Sequence, residues 1–312
     1  MKSFPAKILL FGEYTVLVGS MALAVPFSAY SGTLSFYTTT NDFDGNESGL
    51  QLLRFCTFLK QNYEQFQFID INRFENEINQ GLRFLSNIPQ GYGLGSSGAL
   101  TAAVYDRFGL HEETIKLSDL RGRLASMESF FHGTSSGLDP LVSYTGTPVL
   151  VGRDGGVSLR TGIEWHSVLN KSNIFITDTK SIGKTEGFVA WFRDQMEDEV
   201  YAIQIRDSYI PEVNRAIEAL GIGCVKEFQE AIATISKLQT ALFKPMIPES
   251  FLPLFEAGYS KKEFYLKLCG SGGGGFMLGF APIKHTNLLK SYSFPAEPEY
   301  IFQDIGKKPR SR

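Results

Sequence analysis

Residues 89–99 read P-Q-G-Y-G-L-G-S-S-G-A, a glycine-rich turn between an apolar stretch and a segment of small residues. This turn constrains the chain more than any other feature. Glycines let the backbone turn tightly and bring its N–H groups close to an anion. A helix starting at the end of such a turn adds unpaired N–H donors and the positive end of its dipole. Two serine hydroxyls there can bind phosphate or a metal ion. Strand, glycine turn and helix in that order point to phosphate binding rather than to a plain surface turn.

Two familiar phosphate loops are excluded. The only Gly-Lys-Thr is Gly183-Lys184-Thr185, and the glycine a Walker loop requires five positions earlier is Asp178. The dinucleotide fingerprint G-x-G-x-x-G would fall on Gly91, Gly93 and Ser96, so its third glycine is missing.

A second run, K-L-C-G-S-G-G-G-G-F at residues 267–276, places five glycines in six positions between two apolar segments. That many glycines cost chain entropy, and a hairpin needs only one or two. The run implies a close approach of backbone to a phosphate or to the first loop. A third segment, H-G-T-S-S-G-L-D-P at residues 132–140, surrounds Asp139 with small residues. A carboxylate so placed can accept the proton of an attacking hydroxyl, although Asp before Pro is also ordinary turn chemistry. Glu128 sits beside an apolar helical stripe of Leu120, Leu124, Met127 and Phe131; it reads equally as a magnesium ligand or as a salt-bridge partner. Lys7, in an apolar strand, reads first as an edge residue facing water.

The chain has 312 residues, 43% of them hydrophobic, enough for one large domain or two moderate ones. Its formal net charge of -3 gives no basic surface for nucleic acid. Cys56, Cys224 and Cys269 form no C-x-x-C pair, which fits a reducing, cytoplasmic setting. No stretch is long and apolar enough to cross a bilayer, and the four histidines show no zinc-binding spacing.

Apolar patterning predicts strands at residues 7–11, 33–39, 81–88, 149–151, 157–161, 173–177, 264–268, 276–280 and 300–305. Helices are expected over 49–66 and 99–108, after an N-cap at Ser118, and through most of 185–243. Residues 41–48 read as a loop. Strands and helices mix without regular alternation, so the expected class is α+β.

Together these segments resemble the GHMP kinase family. Pro5-Ala6-Lys7 through Gly12-Glu13-Tyr14, with Gly19 and residues 22–25, resembles its first motif; G-L-G-S-S the second; and residues 267–276 the third. Residues 132–139 and Thr179-Lys180 with Thr185 are similar to the mevalonate kinase branch. The resemblance implies the GHMP kinase fold, with a ribosomal S5-like N-terminal domain (1–170) and a ferredoxin-like C-terminal domain (171–312). It implies ATP and Mg2+, and a small-molecule alcohol as the other substrate. Asp139 would be the catalytic base, assisted by Lys7. Pro89, Gly91, Gly93, Leu94, Gly95, Ser96, Ser97 and Gly98 would hold the phosphates, braced by Gly272, Gly273 and Gly274. Ser97 and Glu128 would hold magnesium. Glu13, Tyr14, Lys180, Lys184 and Thr185 would lie near the alcohol.

The chain also departs from the mevalonate kinase pattern. Tyr14 replaces a histidine, as in some phosphomevalonate kinases. Ser135 replaces a proline, Pro140 an asparagine and Lys184 a serine. The resemblance still favours mevalonate as the acceptor, with phosphomevalonate or another alcohol or sugar as the alternatives and a non-catalytic nucleotide-binding protein as the rival class. The oligomeric state stays open, a homodimer included.

Overall fold

The computed structural model describes residues 2–36, 43–112, 114–161, 168–169, 171–183, 187–282 and 289–301. Two antiparallel sheets organise them. The first contains β1 (Phe4–Phe11), β2 (Ala22–Phe36), β3 (Leu82–Ser86), β4 (Val149–Val151) and β5 (Val157–Leu159). Its order is β1-β2-β4-β5, with β3 also paired to β2. The second runs β7-β8-β6-β9, from β6 (Ile174–Asp178), β7 (Tyr265–Leu268), β8 (Phe276–Phe280) and β9 (Glu299–Tyr300).

β2 is longer than its pattern predicts, because it serves three partners. Residues 22–24 pair with β4, residues 32–36 with β3, and β1 runs along the opposite edge. Pro26 and a register shift at residues 28–30 interrupt the alternation, so only the end of the strand is legible.

Helices α1 (Phe43–Gln61), α2 (Ile71–Asn79), α3 (Ser96–Phe108), α4 (Leu117–His132) and α5 (Leu138–Thr145) accompany the first sheet. α1 begins inside the stretch expected to be a loop. Its polar opening, D-G-N-E-S, lacks the apolar periodicity that marks a buried helical face. α2 escaped sequence reading altogether, although Asp70 caps it by accepting from the Arg73 N–H at 3.0 Å. α4 starts one residue before Ser118, whose hydroxyl bonds Asp119 and does not cap the helix.

Helices α6 (Phe188–Gln195), α7 (Glu199–Gln204), α8 (Ile210–Ile222), α9 (Val225–Leu242) and α10 (Leu252–Lys261) accompany the second sheet. One wide turn of helix at residues 205–209 joins α7 to α8. The apolar core is continuous between the sheets: Phe11 of β1 meets Phe228 of α9 edge-to-face at 6.0 Å. The Met21 N–H bonds the Asn214 side chain at 2.9 Å, a second bridge between the halves.

Candidate active site

The first glycine loop covers the outer edge of β1. The Lys7 N–H donates to the Leu94 carbonyl at 2.9 Å, so this edge strand is capped by the loop instead of by water. Gly91, Gly93 and Gly95 all have positive φ, as the tight path demands. At Gly95 the chain turns into α3, whose first residues are Ser96, Ser97 and Gly98. The first N–H groups of that helix have no intrahelical carbonyl to bond, which makes the helix start a ready anion donor.

Close packing brings Asp139 to the same place. A Cβ on Gly98 would stand 2.8 Å from the Asp139 Cβ and the Pro140 nitrogen, so only glycine lets α5 approach α3 this closely. Asp139 lies in the first turn of α5, following Gly137 at φ 70°. The Lys7 Nζ is 3.2 Å from its Oδ2. Lys7 is 6% exposed, which corrects the expectation of a water-facing edge residue. Burial by itself lowers the lysine's pKa, but the Asp139 carboxylate, with Cys269 and Glu128, more than offsets this and holds it above its usual value.

Glu128, on α4, is 4% exposed. Its Oε1 accepts from the Ser97 hydroxyl at 3.1 Å, and Ser97 also touches the His132 ring nitrogen at 3.0 Å. Its Oε2 accepts from Ser135. Burial pushes the Glu128 carboxyl up to about 7, with the nearby Asp139 charge adding to the rise. The salt-bridge reading of Glu128 fails: its hydrogen-bond partners are hydroxyls. The Glu128 carboxylate and the Ser97 hydroxyl, with the Asp139 charge close by, offer hard oxygen ligands. Among the described residues no group of three or more acidic, histidine or cysteine side chains could hold a metal alone.

The second glycine run packs where its composition suggested. A Cβ on Gly275 would lie 2.9 Å from the Tyr92 Cα, and one on Gly93 3.3 Å from the Cys269 carbonyl. The run is anchored from behind by Gly273 N–H to the Met246 carbonyl at 2.6 Å and by Gly275 N–H to the Ser181 carbonyl at 2.7 Å. Tyr14 donates to the Ser271 carbonyl, and its ring sits against Phe192 and Phe243. Its hydroxyl is thereby engaged in holding the run.

Glu13 meets a residue that sequence reading passed over. It forms a buried ion pair with Lys267 at the head of the second run, and Lys267 also donates to the Leu268 carbonyl at 2.7 Å. Burial raises the Glu13 pKa despite the lysine. The signal for Lys267 was there: like Lys7, it is a strand lysine with apolar neighbours leading into glycines. Lys180, in contrast, is exposed and paired to Asp178 at 2.9 Å. Lys184 and Thr185 lie outside the described residues.

Residues 58–147 match the family model for the GHMP kinases N terminal domain. The chain carries a GHMP kinase N-terminal domain. This domain supplies the first glycine loop, Glu128 and Asp139, while Lys7 enters from the strand before the matched segment. A mevalonate kinase of Thermococcus sibiricus is 26% identical over 319 residues, covering 92% of this chain and 91% of the relative. The solved L. major mevalonate kinase in complex with R-mevalonate aligns with a TM-score of 0.60 at 15% identity, over 90% of this chain and 87% of that one. The Streptococcus pneumoniae phosphomevalonate kinase in complex with phosphomevalonate and AMPPNP gives 0.57 at 18%, over 91% and 92%. Likeness at these identities establishes the GHMP kinase fold and leaves the substrate to the site. Among the described residues no helix is long and apolar enough to cross a membrane.

Proposed function

We propose that this protein is an ATP-dependent GHMP kinase that transfers the γ-phosphoryl group to a hydroxyl of a small metabolite, with mevalonate as the preferred acceptor. The observation that carries the reading is the Lys7–Asp139 pair at 3.2 Å, set beside the start of α3 and the Ser97–Glu128 contact. Phosphoryl transfer needs an oriented hydroxyl, a base and neutralised charge, and little covalent work by the protein. Asp139 accepts the hydroxyl proton. Lys7, paired with Asp139, stabilises the developing alkoxide. The N–H groups at the start of α3 and the loop Gly93–Ser97 hold the phosphates, and residues 272–274 keep that loop in place.

The Ser97 hydroxyl and the Glu128 carboxylate suit Mg2+, which favours hard oxygen ligands and commonly takes one or two carboxylates with substrate phosphates. Bound there, the ion would neutralise phosphate charge during transfer. A division into domains 1–170 and 171–312 agrees with the partition of strands between the sheets, and the three free cysteines suit a cytoplasmic setting.

Mevalonate is favoured because the six curated relatives that match are named mevalonate kinase. Tyr14, the feature shared with phosphomevalonate kinases, has its hydroxyl bound to the Ser271 carbonyl. The deciding experiment measures ADP release with mevalonate, phosphomevalonate and galactose, using Asp139→Asn as control. Mevalonate should give the highest kcat/KM, and the variant should lose about 10²–10⁴-fold in turnover while retaining nucleotide affinity. A higher kcat/KM for phosphomevalonate would replace the acceptor. A fully active Asp139→Asn protein would remove the base assignment, and release with none of the alcohols would count against the kinase reading.

A further inference from the structure

Ser135 occupies the position where the family resemblance leads one to expect proline. Its hydroxyl makes two hydrogen bonds that proline could not: it donates to Glu128 Oε2 and accepts from the Gly137 N–H at 2.9 Å. The first bond reaches the carboxylate whose other oxygen faces Ser97. The second fixes the backbone two residues before Asp139, at the left-handed Gly137 that starts α5. One side chain thus ties the metal-facing carboxylate of α4 to the turn that presents the base.

We infer that Ser135 is a positioning residue, which fixes the Glu128 carboxylate relative to Asp139 for magnesium-nucleotide binding. The inference rests on the kinase reading for its catalytic consequence, but not for its geometry. A carboxylate without a second partner can rotate about its terminal torsion, which is broad. With Oε2 held by Ser135, Oε1 stays directed at Ser97. The oxygens on the cation side are then organised before any ligand arrives, which limits the ordering cost of binding. Outer partners of metal-binding carboxylates commonly contribute in this way.

Ser135→Ala removes both bonds, and Ser135→Thr restores the hydroxyl. Calorimetry with the non-hydrolysable analogue AMPPNP, in magnesium and in EDTA, reads the effect without turnover. Ser135→Ala should weaken magnesium-dependent binding by about 10-fold or more. Binding in EDTA should change less than about twofold, and Ser135→Thr should recover most of the loss. In steady state, kcat should fall and the magnesium requirement rise, with little change in KM for the alcohol.

Equal weakening in magnesium and EDTA would mean a general structural role and overturn the proposal. So would an unchanged magnesium dependence in Ser135→Ala, or absence of magnesium-dependent analogue binding in the wild type. A wild type that binds the analogue normally but phosphorylates no alcohol would sink the kinase reading alone, and the calorimetry would still decide Ser135.

Discussion

Lys267 and Glu13 form a buried ion pair that joins the strand entering the second glycine run to the first motif. The two side chains are 1% and 2% exposed. Glu13 Oε2 has no hydrogen-bond partner among the described residues, so the lysine is the main compensation for a carboxylate out of water. Breaking such a pair leaves an uncompensated buried charge, which commonly costs about 3–5 kcal/mol. Lys267→Met should therefore lower the unfolding free energy by about that amount in urea titrations. Adding Glu13→Gln should return part of the loss, since it removes the stranded charge. A Lys267→Met protein as stable as the wild type would show that the pair contributes no net stability.

Gly95 is the point where the phosphate loop, Lys7 and Asp139 converge. A Cβ there would stand 3.0 Å from Lys7 Cγ and 3.1 Å from Asp139 Oδ2, at a φ of +72° that β-branched residues avoid. Gly95→Val should displace the pair and the loop together. Affinity for an ATP analogue should fall by more than about tenfold, which is about 1.4 kcal/mol, while circular dichroism reports a retained fold. Unchanged affinity in the folded variant would place the nucleotide elsewhere.

Glu128 should make stability depend on pH when divalent cations are removed. Its carboxyl is raised from 4.5 to about 7 in the folded protein, chiefly by burial. Between those values the folded state holds a proton that the unfolded chain has released. The stabilising contribution is complete below about pH 4.5 and is lost as pH rises through about 7. The wild type should then lose up to roughly 3 kcal/mol across that window relative to Glu128→Gln, with no further change above it. Unfolding titrations of both proteins in EDTA give the comparison. Parallel pH profiles would mean that Glu128 keeps an ordinary pKa.

The sequence alone determined the local pieces whose chemistry is carried by neighbouring residues. The glycine loop at 89–99 had to be a tight turn into a helix, because its spacing of glycine and serine suits little else. The run at 267–276 had to approach other backbone, because so many glycines are otherwise costly. The order of these motifs was enough to indicate the GHMP kinase fold. Tertiary structure decided everything that depended on which surfaces meet. Lys7 looked like an edge lysine and is buried, because the loop at Leu94 covers the strand's open side. Asp139 looked like turn chemistry and is paired with Lys7, because Gly98 lets α5 approach α3. Lys267 was invisible as a partner of Glu13, because nothing in either segment specifies contact with the other sheet. Pairing across folded elements is fixed by packing, and local patterning carries no record of it.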